Sequence, residues 1–397
     1  MKYQSSIAFS LFTVVLGAIG LRCAECGEPS TPILPAKLYR YTATETPGFV
    51  DDATLRRHDN TAKNNPLTDA GATLGRVLFY DRQLSRNNTI SCGSCHHQKN
   101  SFTDPRQFSV GFDGRRTERN SMSIVNLRFT HVHENQPGFF WDERAKTLEA
   151  LVLMPIEDQV EMGMKLPELE AKLQKLAYYP PLFRSAFGSP KVSSERIAKA
   201  VAQFMRSMVS LDSKFDRVAK VVGNNYSRDF PDFSAAENLG KSLFIDGLDG
   251  VTEIGCVHCH VPPTFAMPQS FNVGLDLVSR DKGLGARGVP SNDPFTPSND
   301  GKFKASPLRN VALTAPYMHD GRFKTLEQVI DHYSDGVHPN PNLGLAVAED
   351  DDLKVGSKSG FKYTAKQKAG LVAFLKTLTD EKFINDPRFS DPFARKK

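Results

Sequence analysis

The pentapeptide Cys92-Gly93-Ser94-Cys95-His96 recurs as Cys256-Val257-His258-Cys259-His260. C-x-x-C-H is the attachment signature of c-type haem. Its two thiols, about one helical turn apart, add across two vinyl groups, and the imidazole that follows binds the iron from one side. A zinc ribbon sets its two C-x-x-C pairs about 15–20 residues apart, whereas 160 residues separate Cys95 from Cys256. A thioredoxin-like redox pair gives no reason for a His directly after each second Cys. Two such motifs in a chain with six Cys predict two covalently bound c-type haems. One is held by Cys92, Cys95 and His96, the other by Cys256, Cys259 and His260.

At 397 residues the chain can form two domains, each with a core of its own. Charged residues make up 24% and the net charge of +5 is spread without a basic block, which argues against nucleic acid as a partner. The N-terminus reads as an export signal over residues 1–20. Lys2 supplies the positive end, Ile7 to Gly20 is apolar apart from Ser10 and Thr13, and Ala18-Ile19-Gly20 is a small-residue cleavage pattern. That apolar run is short for a membrane span, so the mature chain is expected in the periplasm with no membrane-spanning segment. Export agrees with c-type haem, which is attached outside the bacterial cytoplasm. Cys23 and Cys26 lack a following His. A disulfide suits them in an oxidising compartment, ahead of a lipid anchor on Cys23, which Arg22 disfavours. Residues 21–66 read as an extended arm rich in Pro, Thr and Asp.

Beyond the arm the chain repeats itself. Leu74-Gly75-Arg76-Val77-Leu78-Phe79-Tyr80-Asp81 leads into the first motif, and Leu239-Gly240-Lys241-Ser242-Leu243-Phe244-Ile245-Asp246 into the second. Asn126-Leu127-Arg128-Phe129-Thr130 matches Asn310-Val311-Ala312-Leu313-Thr314, and Asp142 to Glu149 matches Asp320 to Glu327. Each half closes on an amphipathic helix, Ile197 to Met208 or Ala365 to Leu378. The expected fold is mostly α, with two tandem cytochrome c-like haem domains related by internal duplication. They cover residues 67–230 and 231–397, with the boundary near Asn224 to Asp232. Asp69 is a candidate cap for the helix through Leu74 to Tyr80. Thr325-Leu326-Glu327-Gln328 reads as a capping box.

From about Leu67 to Thr379 these blocks resemble the bacterial dihaem cytochrome c peroxidases, including their MauG-like members. The resemblance implies an N-terminal haem that reacts with hydrogen peroxide, a C-terminal haem that relays electrons, and a calcium ion between them. His96 and His260 would be the proximal iron ligands. Trp141, the only Trp of the chain, would lie between the haems as an electron relay, although a lone Trp is more often a buried aromatic. Asn120, Thr314 and Pro316 match calcium-site positions, the last two through carbonyl oxygens that suit a hard cation. Glu161 matches the acid–base residue above the peroxidatic haem, with Pro155 retained nearby. Peroxide must lose one proton, and the departing oxygen must gain one. Burial raises a carboxyl pKa towards the range in which one group can do both. Read without the resemblance, Glu161 is a solvated member of the acidic run from Glu157.

Two positions depart from the pattern. Ten residues before Glu161, where better-known members carry a Gln, stands Leu151. Sixteen residues after His96, where members that need reductive activation carry a blocking His, stands Phe112. His97 directly follows His96 and is not expected to reach the distal side, so the first haem should be five-coordinate as made. The second haem's other ligand distinguishes subgroups: Tyr333 holds the position, as in the MauG-like members. Leu326, Val329, Ile330 and Tyr333 also form one helical stripe that reads as plain core. Met318, His319 and His332 stay as competing ligands.

The expected activity is a dihaem c-type peroxidase. Its reductant is a small redox protein (a cytochrome c or a cupredoxin) or, in the MauG manner, side chains of a partner protein, and the family resemblance allows a homodimer. The competing class is a non-enzymatic dihaem electron carrier or haem-based sensor on the same fold.

Overall fold

Both halves are built on the same crossing of two helices. In the first, α1 (Asp69–Tyr80) lies along α5 (Ser194–Ser207); in the second, α7 (Ala235–Ile245) lies along α9 (Ala365–Lys376). The glycine of each repeated block makes the crossing close. A Cβ on Gly75 would stand 2.0 Å from the Ala200 carbonyl oxygen, and one on Gly240 would stand 1.9 Å from that of Gly370. Neither position can carry a larger residue without spreading the pair.

These details come from a computed structural model, which describes residues 31–43, 55, 58–130, 138–223, 225–248, 255–291, 296–344 and 360–393. Pro32–Lys397 forms one compact unit. The export signal and the Cys23/Cys26 pair lie outside the described residues. Among the described residues no helix is long and apolar enough to cross a membrane.

The helices begin where short polar side chains satisfy their first amides. Thr68, not Asp69, caps α1: its hydroxyl accepts from Gly71 N, and Asp69 sits in the first turn instead, where its charge favours the helix dipole. Thr147 opens α2 (Leu148–Glu157), which contains Pro155, and Thr325 opens α8 (Leu326–Asp331). The expected box at Thr325 is half formed. Its hydroxyl accepts from Gln328 N, but the Gln328 side chain accepts from Lys324 N rather than from the cap itself. Full boxes start α6 (Lys214–Val221), α7 and α9, on Ser213/Asp216, Ser234/Glu237 and Thr364/Gln367. The remaining α-helices among the described residues are α3 (Leu166–Gln174), α4 (Tyr179–Phe187) and α10 (Glu381–Ile384). One antiparallel pair, β1 (Ser270–Phe271) with β2 (Phe303–Lys304), is the sheet. The fold is thus mostly helical.

Two aromatic cores form. Phe79, Phe102 and Phe204 meet in the first, and Phe215, Phe244, Phe265 and Phe374 in the second. The cores exchange segments of chain. Helix α6 precedes the expected boundary, yet Phe215 and Val218 pack in the second core; Phe383 and Phe389, near the C-terminus, pack in the first. In the arm, Tyr41 joins the first core and Leu55 the second. Arg309, 1% exposed, ties α6 to the segment after the second Cys motif. It donates to Asp216 Oδ2 at 2.6 Å and to the Pro263 carbonyl at 2.8 Å.

Candidate functional site

Each Cys pair stands on a short 3₁₀ turn, Cys92–Ser94 or Cys256–His258, and all four thiols are unpaired. The following His amide bonds back to the first Cys carbonyl at 3.0 Å in both halves. The chain then turns through a positive-φ phenylalanine, Phe102 at 58° and Phe265 at 54°. Their carbonyls accept from the ring nitrogens: His96 Nδ1 donates to Phe102 O at 2.7 Å, and His260 Nδ1 to Phe265 O at 3.1 Å. With the proton on Nδ1, Nε2 is bare, the state an iron ligand requires. Burial pulls both imidazoles down, His260 to about 4, against the bonds to the carbonyls. Unpaired thiols at one-turn spacing, a neutral imidazole with its outer nitrogen free and a cleft beside each fit a c-type haem in both halves.

The first cleft encloses about 640 Å³ of empty space, part of it open to solvent. Cys92, Cys95 and His96 form part of its lining, and α2 contributes Leu151 and Pro155. The turn after α2 brings Glu161 to the same cleft. Asp158 Oδ1 shapes that turn, accepting from Val160 N at 2.7 Å and Glu161 N at 2.9 Å. Burial, reinforced by Asp158 and opposed by Arg144, pushes the Glu161 carboxyl up to about 7. Burial thus brings the Glu161 carboxyl towards the neutral range in a mostly apolar cleft. Leu151 gives it no hydrogen-bonding neighbour there. Phe112 does not line the cleft, and the His97 ring is bound back to the Ser94 carbonyl at 3.0 Å.

The second cleft is larger, with about 1670 Å³ of empty space, again partly open to solvent. Tyr333 and Met318 both line it, together with Cys256, Cys259 and His260. Tyr333 stands in a π turn, His332–Gly336, that continues α8, a distortion frequent at functional sites. Leu326, Val329 and Ile330 line the same cleft, so the helical stripe that reads as core faces this site. Burial, with the Cys259 and Cys256 thiols, raises the Tyr333 phenol well above its ordinary value. His332 turns away and bonds through Nε2 to the Val273 carbonyl at 2.9 Å. His319 lines the cleft but stacks on Phe303, with centroids 3.6 Å apart.

Trp141 belongs to the second cleft and is tied to the first motif. Its Nε1 donates to the Asn120 carbonyl at 2.8 Å. The next residue, Ser121, reaches His96 Nδ1 at 3.3 Å and donates to the Cys95 carbonyl at 3.2 Å. Asn120, Thr314 and Pro316 all line this cleft. The Asn120 amide nitrogen donates to the carbonyls of Arg106 and Gln107 at 3.2 and 3.1 Å, which orients its oxygen away from them. Among the described residues no group of three or more His, Cys, Asp or Glu could hold a metal ion. A cation at Asn120 would rest on amide and carbonyl oxygens, donors that fit calcium.

Sequence reasoning missed Arg119 and Asp281. Arg119 donates to Asp142 Oδ2 at 2.7 Å and, through Nε and Nη2, to both oxygens of Asp281 at 2.7 and 2.8 Å. The one available signal was the position of Arg119 directly before Asn120.

A family model described as di-haem cytochrome c peroxidase matches residues 69–224. The methylamine utilization protein MauG of Methylorubrum extorquens is 32% identical over 324 residues, covering 80% of this chain and 81% of that protein. Cytochrome c551 peroxidase of Pseudomonas aeruginosa is 32% identical over 299 residues, or 73% of this chain and 77% of that one. The crystal structure of a MauG-like protein associated with microbial copper homeostasis superposes with a TM-score of 0.66 at 35% identity. It covers 84% of this chain and 96% of its own.

Proposed function

The chain belongs to the dihaem cytochrome c peroxidase family, in its MauG-like part, and we propose that it is an exported enzyme that reduces hydrogen peroxide beside His96 with electrons relayed from the side of His260. The observation that carries this reading is Glu161: a half-buried carboxyl, raised to about 7, in the cleft that holds Cys92, Cys95 and His96.

When bound, each haem would supply an iron centre that exchanges electrons, the first held by Cys92, Cys95 and His96 and the second by Cys256, Cys259 and His260. The chain supplies the protons and the path. Glu161 takes the proton that peroxide gives up and returns it to the departing oxygen, so that two electrons and two protons convert peroxide into two waters. Leu151 and Pro155 wall the cleft without competing for that proton. Trp141, held by the Asn120 carbonyl, lies on the electron path between the halves. Tyr333 would join His260 in holding the second haem. Asn120, Thr314 and Pro316 would hold a calcium ion. The two halves, residues 67–230 and 231–397, descend from one duplicated haem domain.

The electron donor is a small redox protein such as a cytochrome c or cupredoxin, or side chains of a partner protein. Steady-state turnover with peroxide and a reduced small cytochrome c tests the reading. Peroxide-dependent oxidation that falls in Glu161→Gln supports it. Electron exchange with no peroxide dependence would make the chain a carrier or sensor instead.

A further inference from the structure

The loop that carries Trp141 belongs to the first half, but the second half holds it in place. Lys304 N donates to the Trp141 carbonyl at 2.9 Å. Ser270 Oγ donates to Glu143 Oε1 at 2.6 Å, and Arg287 Nη1 to the Glu143 carbonyl at 3.0 Å. Arg119 makes the contact that spans both sides. One edge of its guanidinium takes both oxygens of Asp281, from the second half, and Nη1 takes Asp142, the residue after Trp141. The group also lies over the Phe303 ring, 5.6 Å from its centroid.

Two dipeptides are therefore joined by two rungs. Arg119-Asn120 and Trp141-Asp142 are linked by the guanidinium–carboxylate bond at 2.7 Å and by the indole N–H to Asn120 carbonyl bond at 2.8 Å. With only one rung, the indole could turn about its remaining hydrogen bond; with both, its plane and depth are fixed. A planar fork is what this geometry needs. It directs three N–H bonds to two carboxylates in one plane, which the single ammonium of Lys cannot reproduce.

We propose that Arg119 is a positioning residue for electron transfer: by holding Asp142 and Asp281 in one fork, it fixes Trp141 between the two haem sites and sets the rate at which electrons cross. The proposal rests on the reading of Trp141 as the relay. The Arg119 side chain bonds to Asp142 and Asp281, neither of which lines the first cleft, so the effect of changing it should be confined to the crossing.

The test uses the full-length protein loaded with both haems and the variants Arg119→Lys, Asp281→Asn and Trp141→Phe. Because Trp141 is the only tryptophan, the indole N–H band in ultraviolet resonance Raman spectra reports this one side chain. The second readout mixes the reduced protein with one equivalent of peroxide. It compares the rate of peroxide consumption with the rate at which the second haem gives up its electron. Arg119→Lys and Asp281→Asn should shift the indole band and slow the electron's departure by about ten- to a hundredfold, the penalty of an ångström-scale misplacement. Peroxide consumption in the first turnover should stay within about twofold of the unmodified protein, a change small beside that penalty. Wild-type band and wild-type electron departure in both variants would overturn the proposal. So would an equal fall in both rates, which marks a general loss of structure. Should Arg119→Lys load fewer than two haems, Asp281→Asn decides alone, since it keeps the size of that side chain but weakens the anchor of the guanidinium that holds Asp142. Trp141→Phe separates the two readings: if it leaves electron departure unchanged, the relay itself fails, whereas a slow Trp141→Phe beside normal Arg119 and Asp281 variants sinks only the fork.

Discussion

Phe112 is tied to Glu161 through the backbone: Phe112 N donates to the Glu161 carbonyl at 2.9 Å, while the Phe112 ring turns from the first cleft onto Gly163. Gly163 has φ +62°, and a Cβ there would stand 2.4 Å from the ring. The Arg86 guanidinium lies over the same ring, 5.9 Å from its centroid. The segment that carries a blocking His in peroxidases needing activation thus carries an apolar ring packed outside the cleft.

The fully oxidised protein is therefore expected to react with peroxide at once. Its resting electron paramagnetic resonance spectrum should contain a high-spin ferric signal from the first haem. An all-low-spin spectrum, with activity gained only after partial reduction, would show that another side chain closes the site.

Glu161 should give the peroxide reaction its pH dependence. Its carboxyl, raised by burial to about 7, must be ionised to accept the first proton. The rate should rise with pH through about 7 and level off above it, and Glu161→Gln should abolish this limb. The same substitution should slow turnover by about 10²–10⁴-fold, the usual contribution of general acid–base catalysis. Stability should move the opposite way. A carboxyl whose folded pKa exceeds its unfolded value ionises first in the unfolded chain, so folding loses stability as pH rises between those two values. Glu161→Gln should consequently resist denaturant better than the parent at pH 8 and about equally at pH 4.

Arg309 and Asp216 are each 1% exposed and 2.6 Å apart. Removing one member of such a pair leaves the other charge buried alone, which costs about 3–5 kcal/mol. Arg309→Met should lower the denaturant midpoint of the holoprotein accordingly, and the loss should appear first in the optical signal of the second haem. A double replacement, Arg309→Met with Asp216→Leu, should recover much of it, because neither charge then remains.

What could be read from the sequence was local. The Cys motifs, the cap at Thr325 and the repeated blocks that contain Gly75 and Gly240 depend on neighbours within a turn or on a short stretch of chain, so their spacing announces them. The cap of α1, by contrast, falls on Thr68 and not on Asp69. The exchange of segments between cores was not legible. Phe215 and Phe383 carry the same apolar periodicity whichever core they enter, and only the three-dimensional path of the chain decides between them. The Arg119–Asp281 pair, 162 residues apart, leaves no periodic trace at all. His332 is a similar case: the sequence makes it a candidate ligand, and a carbonyl 59 residues away, on Val273, takes its ring instead.

Tyr333 offers the sharpest test of the second site. Its side chain is half-buried beside Cys256, Cys259 and His260, and among the described residues no protein group hydrogen-bonds its hydroxyl. Burial alone keeps a phenol neutral. A ferric centre supplies the positive charge that makes the phenolate the stable form, and such an anionic ligand favours the ferric over the ferrous state. Tyr333→Phe should convert the second haem from low spin to high spin and raise its reduction potential, while peroxide still reacts at the first. The π turn carries the ring whichever residue stands there, so the variant should load two haems per chain, as a pyridine haemochrome assay would count. An unchanged spectrum in Tyr333→Phe would turn attention to Met318, which lines the same cleft. Met318→Leu should then be the substitution that removes the low-spin signal.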